Sequence, residues 1–527
     1  VADNRTEVKY MMFYVLVTLL FLPVYLAVRW PYCKLPIGPD VGYYVSNNTI
    51  ASGRLSYCKG WNARYALCSK FIPEVFLSFF YTRFGPQGYS RAWRLGYSFY
   101  NYLTAIFIGW LAHLCTGGTM AAYPSALIFY GLVSSEVDYG IYYESAEQFE
   151  ILFQAAGTAF IIAGMVQENA SYILIGTGLW FLDAFFVKIT ALAAALPLVA
   201  GVVFITPSLL FSIAVEFVII SVAYIGLFLQ CNRNPLEVIK SELGHQSFYS
   251  KKGMSNANED KHGLTGWKTR IVEKIGQMVS IVAASPFIPL LAFAGSVWSP
   301  SHLNHTCLLF LSLYVFGVVI KLGVSFLPIW WYTIPVLPLF GVYASFGALQ
   351  LLDGGWYGAA MLCLMLAGWG YANVVRIRRK DAENLNRYAW KTHPGMGQAH
   401  FELQTIAPEL DTIINDGAES LFVFGTPSPY AMIGNAYNVN FLSAVYYMDG
   451  INPKWEEELH YRMFEAPPKY VLDMFDSFGS AAIAENLGLR YAIVKSWQGK
   501  HYRYDLYELK EQADLGRPNF EFKSLIR

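Results

Sequence analysis

Two stretches of this chain carry residues whose types and spacing could do chemistry. The first is Pro36-Ile-Gly-Pro-Asp-Val-Gly-Tyr-Tyr44, followed by Gly53-Arg-Leu-Ser-Tyr-Cys-Lys-Gly-Trp-Asn-Ala-Arg64. Its acid, Asp40, comes soon after a long apolar run. A carboxylate at a membrane boundary is poorly solvated and has little structural reason to be there. Pro39 and Gly42 set a tight turn around it, while Tyr43 and Tyr44 suit a membrane interface. Read alone, the stretch is equally an ordinary polar connection between two spans. The second stretch, Ser134 to Glu150, holds five carboxylates: Glu136, Asp138, Glu144, Glu147 and Glu150. Acids at a helix N-terminus are stabilised by its dipole, so part of this cluster caps the apolar helix that follows. Five exceed what capping requires, and Glu147 is read as the one that reaches the membrane. Lys188, in Asp183-Ala-Phe-Phe-Val-Lys188, stands between two apolar runs. Snorkelling of its long stem and a functional contact both fit that position.

The elements that must position these residues are membrane helices. Of the 527 residues, 55% are hydrophobic and 14% charged, against about 25% charged in soluble proteins. The formal net charge is zero, which gives no electrostatic support for a nucleic-acid partner. Tyr10 to Val28 carries no charge between Lys9 and Arg29, long enough for about 30 Å of hydrocarbon. It lacks a small-x-small cleavage site and reads as a retained span rather than a signal peptide. Further spans are expected over 94–114, 119–134, 148–166, 171–187, 189–206, 209–230, 277–297, 305–324, 327–350 and 356–375, making about eleven. Phe71 to Arg83 is too short to cross and reads as an interfacial helix in the membrane plane.

The predicted fold class is therefore a polytopic α-helical membrane protein with a small C-terminal α/β domain. Residues 1–379 form the membrane domain, with loops over 31–92, 135–147 and 231–275, and residues 380–527 the soluble domain. Phe401 to Ile414 places Leu403, Ile406, Leu410, Ile413 and Ile414 on one helical face. Ser420–Gly425, Lys469–Asp473 and Tyr491–Lys495 read as short buried strands, with helices over Trp455–Phe464 and Ser480–Leu487. No Gly-rich phosphate loop, HExxH or GxSxG is present, so this domain is expected to cover a membrane site rather than do chemistry. Of seven cysteines, Cys33, Cys58 and Cys68 share the first loop, where two could pair outside the cytoplasm, while the rest are expected to pack. Lys and Arg are abundant in that loop, which the positive-inside rule would place in the cytoplasm. The rule weakens for loops of about 60 residues, so charge leaves the orientation open. A multi-span transporter or flippase is the alternative class, although no repeated segments relate the two halves.

These motifs together resemble the GT-C glycosyltransferases, in the protein O-mannosyltransferase and aminoarabinose-transferase branch. The resemblance is carried by a first span, then Pro-x-Gly-Pro-Asp-x-Gly-Tyr-Tyr, then Gly-x-x-x-Tyr-x-x-x-Trp-x-x-Arg. Asp40 occupies the place of the family's catalytic acid, with Val41 where many members have Glu. Glu147 in Ala-Glu-Gln-Phe-Glu-Ile-Leu-Phe matches a second acid at the start of the fourth span. Phe185-Phe-Val-Lys-Ile-Thr-Ala resembles a lysine-bearing helix junction, and Trp331-Tyr-Thr-Ile-Pro335 a His-Tyr pair that here lacks the His. Leu421–Tyr430 and Pro467–Val471 resemble the extracytoplasmic tail of bacterial members.

The resemblance implies a sugar donor linked through phosphate to a polyprenyl chain, and an inverting displacement at the anomeric carbon. Asp40 would be the base and Glu147 a second catalytic carboxylate. Arg64, Lys59 and Lys188 would bind the donor phosphate. Tyr43, Tyr44, Glu144, Trp331 and Tyr332 would contact substrate. A divalent cation, if used, would be Mg²⁺ or Mn²⁺ on Asp40 and Glu147, an oxygen-only site. The implied partners are the membrane lipid, the polyprenyl-linked sugar, and a glycan, lipid or protein acceptor. The implied place is the bacterial inner membrane, with the site facing the periplasm.

Overall fold

Apolar segments in a bilayer must satisfy their backbone groups internally, which drives them into helices. In a computed structural model of the chain, a helix stands at the place of each expected span. The structure describes residues 4–30, 33, 71–135, 147–230, 286–324, 334–378, 394–414, 419–424, 436–438, 467–474, 490–500 and 502–510. The helices are α1 (Asn4–Arg29), α2 (Phe71–Cys115), α3 (Ala122–Val133), α4 (Glu147–Val166), α5 (Ala170–Leu182) and α6 (Ala191–Ile205). They continue as α7 (Leu210–Gln230), α8 (Phe287–His302), α9 (His305–Val324), α10 (Leu337–Asp353) and α11 (Trp356–Arg378). Among the described residues, five stretches are long and apolar enough to cross a membrane: Lys9–Arg29, Glu147–Val166, Ala170–Val187, Pro207–Gly226 and Ile334–Asp353.

Two boundaries differ from the sequence reading. The expected helix over Phe71–Arg83 and the second span are two helices that follow one another within α2 across a kink at Gly85, where φ is 68°, with no loop between them. That left-handed backbone is open to glycine at no steric cost, so the turn needs no further residues. The expected turn from Trp298 is helical instead, since α8 runs to His302 and the Leu303 N–H donates to the Ser299 carbonyl at 3.0 Å.

Contacts divide the chain into two compact units, one holding α1, the later half of α2 and α3–α11, the other holding the C-terminal domain. In the first unit α4 lies against α5, α9 against α6 and α4, and α10 against α3 and α8. The α4–α5 approach depends on Gly157 and Gly176. A Cβ on Gly176 would fall 2.6 Å from the Gly157 carbonyl oxygen, and one on Gly157 would fall 2.7 Å from Trp180 Cδ1. Small residues let membrane helices meet backbone to backbone.

The second unit contains α12 (Pro394–Ile413) and a mixed five-stranded sheet of order β2-β1-β3-β5-β4. Its strands are β1 (Glu419–Phe424), β2 (Ala436–Asn438), β3 (Tyr470–Asp473), β4 (Tyr491–Gln498) and β5 (Arg503–Leu509). β1 runs parallel to β2 and β3, whereas β5 is antiparallel to β3 and β4. The expected apolar face of α12 packs on the sheet: Leu403, Ile406, Leu410 and Ile414 meet Leu421, Val423, Leu472 and Leu506, with Ile413 partly buried beside them. One correction concerns β4. It is an edge strand with a bulge between Ile493 and Lys495, so Ile493 and Val494 are exposed rather than buried. The helices expected over 455–464 and 480–487, and the loop over 231–275, lie outside the described residues.

Candidate active site

α4 starts at Glu147, and Glu150 follows in its first turn, where the helix dipole favours acids. Both side chains are nevertheless inside the bundle, with Glu150 completely buried and Glu147 2% exposed. The sequence reading took Glu147 as the acid that reaches the membrane, but Glu150 goes one turn further in. Glu147, Glu150 and Gln154 recur at spacings of three and four, so they share one helical face. Charges in such a place persist only when paired.

Their partners come from two other elements. After Leu182, α5 widens into a π turn over Asp183–Val187, closed by the Lys188 N–H donating to the Asp183 carbonyl at 2.9 Å. Lys188 then leaves in extended conformation. Single π turns of this kind recur at functional sites, because the extra residue re-aims a side chain. Lys188 Nζ donates to Glu147 Oε1. Lys321 Nζ, from the last turn of α9, donates to Glu150 Oε2. Gln154 Nε2 donates to Asp183 Oδ2 at 3.1 Å.

The result is a ladder of three polar rungs on α4, holding three carboxylates and two ammonium groups. Its ends differ. The Lys188 side chain is 12% exposed and that of Lys321 only 2%, so Lys188 marks the end that a ligand can reach. Glu150 Oε1 and Asp183 Oδ1 make no hydrogen bond among the described residues, which leaves the ladder with acceptor capacity. The snorkelling alternative for Lys188 is displaced by this pairing.

A second buried constellation fixes the entrances to both informative stretches. Arg29 ends α1, seven positions before Pro36 opens the stretch that carries Asp40. Its Nε donates to Ser98 Oγ at 3.0 Å and its Nη1 to the Ser134 carbonyl at 2.8 Å. Its guanidinium also lies over the rings of Tyr25 and Tyr97, at 5.4 and 5.6 Å. Ser134 closes α3, where the acidic stretch begins. One arginine therefore ties the end of α1 to the first residue of the acidic stretch. The sequence showed Arg29 only as the charge bounding a span.

Of the expected site residues, Glu147 and Lys188 are described and brought together. Asp40, Tyr43, Tyr44, Lys59, Arg64, Glu144, Trp331 and Tyr332 lie outside the described residues, as do Cys58 and Cys68. Cys115 and Cys307 are buried free thiols, as packing residues would be, while Cys363 is free and exposed. Among the described residues no group of three His, Cys, Asp or Glu could hold a metal ion. Of the expected Mg²⁺ or Mn²⁺ pair, Glu147 bonds Lys188 through Oε1, and Asp40 lies outside the described residues. Glu150, Gln154, Asp183 and Lys321 were missed as site residues. The available signal was a lysine and an aspartate set in otherwise apolar runs, which is costly unless they are paired.

No protein-family model and no curated protein sequence matches the chain. Solved structures do match. ArnT from Cupriavidus metallidurans bound to undecaprenyl phosphate aligns with a TM-score of 0.57 at 14% identity, over 93% of this chain and 97% of that one. The apo state of ArnT from the same organism gives 0.56 at 13% identity over the same shares. The chain has the ArnT fold. ArnT has the GT-C architecture that the motifs implied, and the match extends along nearly the whole of both chains. At this identity the ArnT likeness is one of fold.

Proposed function

We propose that this protein is a membrane glycosyltransferase that moves a sugar from a polyprenyl-phosphate-linked donor to an extracytoplasmic lipid, glycan or protein acceptor. The observation that carries the reading is Lys188, held by Glu147 at the more exposed end of a buried polar ladder. A lysine at the more exposed end of such a ladder can bind phosphate as a point charge. The ArnT fold supports the same reading, since one of the ArnT structures holds undecaprenyl phosphate, a polyprenyl phosphate. It favours a transferase over a transporter or flippase.

In this mechanism the acceptor oxygen attacks the anomeric carbon from the face opposite the phosphate. Asp40 takes the acceptor proton as the new glycosidic bond forms. The bond between the anomeric carbon and the phosphate oxygen breaks, and its electron pair leaves with the phosphate. The products are an inverted glycoside and polyprenyl phosphate. Arg64, Lys59 and Lys188 take up the charge that develops on the departing phosphate. Glu147 holds Lys188 in place before the donor arrives and orients the acceptor. Tyr43, Tyr44, Trp331 and Tyr332 offer ring faces to the sugar, and Glu144 accepts hydrogen bonds from its hydroxyls. The matching location is a bacterial inner membrane with the site open to the periplasm.

Mass spectrometry of envelope glycans and lipids from cells with and without the protein tests the proposal. A sugar substituent missing only from the deleted strain is the expected result and names the substrate. Identical glycan and lipid inventories in both strains would contradict it.

A further inference from the structure

Lys321 and Glu150 have no part in the mechanism above, yet they form the middle rung of the ladder that holds Lys188. Glu150 lies one turn beyond Glu147 on the same face of α4, and both carboxylates are buried. Two such acids side by side repel, and each seeks whatever cation is within reach. Lys188 pairs with Glu147 and Lys321 with Glu150. Lys321 is 2% exposed, deep behind the rung that a ligand can reach.

From this alternation we infer that Lys321 is a positioning residue that keeps Lys188 available to the donor phosphate by neutralising Glu150. The inference rests on the proposed donor site. With Lys321 in place, the three carboxylates of the ladder share two ammonium groups, and Lys188 can exchange Glu147 for an arriving phosphate. Without it, all three draw on the single remaining ammonium, and a phosphate must compete with more than Glu147 for Lys188. Removal of the Glu150 charge alone does the opposite. It leaves two ammonium groups facing two carboxylates, Glu147 and Asp183, and so raises the positive potential felt by an anion.

The two halves of one ion pair should therefore shift donor affinity in opposite directions. A rung that merely braced the bundle would give losses of the same sign in both variants. The experiment is binding of undecaprenyl phosphate to the purified full-length protein, with thermal unfolding followed in parallel. Lys321→Met should weaken binding about tenfold, while Glu150→Gln should bind as tightly as the unaltered protein or more tightly. The double variant should return to within about threefold of the unaltered protein. In a Lys188→Met background, Lys321→Met should add little further loss, because its effect passes through Lys188.

Equal weakening in the two single variants would overturn the inference, as would full additivity with Lys188→Met. Should Lys321→Met fail to fold, the nearly isosteric Glu150→Gln decides: weakened binding contradicts the inference and retained or tighter binding supports it. Failure of the unaltered protein to bind undecaprenyl phosphate would remove the proposed function, and this inference with it. Binding that shifts in the same direction in both variants removes the inference alone.

Discussion

Glu147 and Lys188 are 41 positions apart in the chain yet share a hydrogen bond inside the bundle. Removing one partner of a buried pair leaves an uncompensated charge, which costs about 3 kcal/mol or more. Lys188→Met should lower the unfolding temperature and weaken donor binding together. Adding Glu147→Gln to it removes the orphaned carboxylate, so stability should recover while donor binding stays weak. Thermal unfolding and undecaprenyl phosphate binding on the same preparations separate the two effects. Recovery of both would mean that Lys188 serves the fold and not the donor. Each of the two residues was legible alone, because a charge among apolar residues stands out. Their pairing was not legible, because nothing local specifies which distant helix supplies a partner. Lys321 stayed hidden for a related reason. It lies near the end of an apolar run, where a lysine is easily taken for a span boundary.

At the scale of elements, the ladder depends on how closely α4 approaches the π turn at the end of α5. Gly157 and Gly176 set that approach, and a side chain at Gly176 has backbone where its Cβ would go. Gly176→Val should cost about 1–3 kcal/mol by overpacking and should also reduce transfer, since it displaces Asp183 and Lys188 from α4. Full activity with normal stability would show that the spacing does not matter. In the C-terminal domain, Lys495 and the Trp497 indole N–H both bond Glu409, at 2.7 and 2.6 Å, joining β4 to α12. These bonds, that to Lys495 foremost, hold the Glu409 carboxyl below the usual range. A depressed carboxylate contributes stability above its unfolded value of about pH 4.3, and that contribution is lost as pH falls through the lower folded value. Protection of the β4 amides, taken relative to their intrinsic exchange rates, should fall in that acid window, and Glu409→Gln should flatten the dependence; an unchanged profile would discount the link. Periodicity revealed α12 and three of the strands, but the three-residue β2 escaped, and so did β5. Its alternation sets buried Tyr504 and Leu506 among charged neighbours, which resembles a polar loop. The exposure of Ile493 and Val494 was also illegible, because strand order decides which strand becomes an edge.

For the whole molecule, hydropathy sufficed to place the helices, since a bilayer permits little else for an apolar run of that length. The ordered motifs already resembled the aminoarabinose-transferase branch of the GT-C enzymes, and the ArnT fold bears that out although only 14% of aligned residues are identical. Among the described residues, ten helices, α2 to α11, separate the Asp40 stretch from the C-terminal domain. If each crosses once, the even number puts both on one side of the membrane. Single-cysteine variants in 31–70 and beyond 380 should then react together with an impermeant thiol reagent in intact cells. Labelling of one region from outside, and of the other only after permeabilisation, would refute that count. The central claim is transfer of sugar from a polyprenyl-phosphate donor with Asp40 as the base. It is tested most directly by transfer of labelled sugar by purified protein, comparing the unaltered chain with Asp40→Asn. The substitution keeps side-chain size but removes charge and basicity. Asp40→Asn should retain folding and donor binding, with transfer reduced about 10²-fold or more. Undiminished transfer by Asp40→Asn would contradict the central claim.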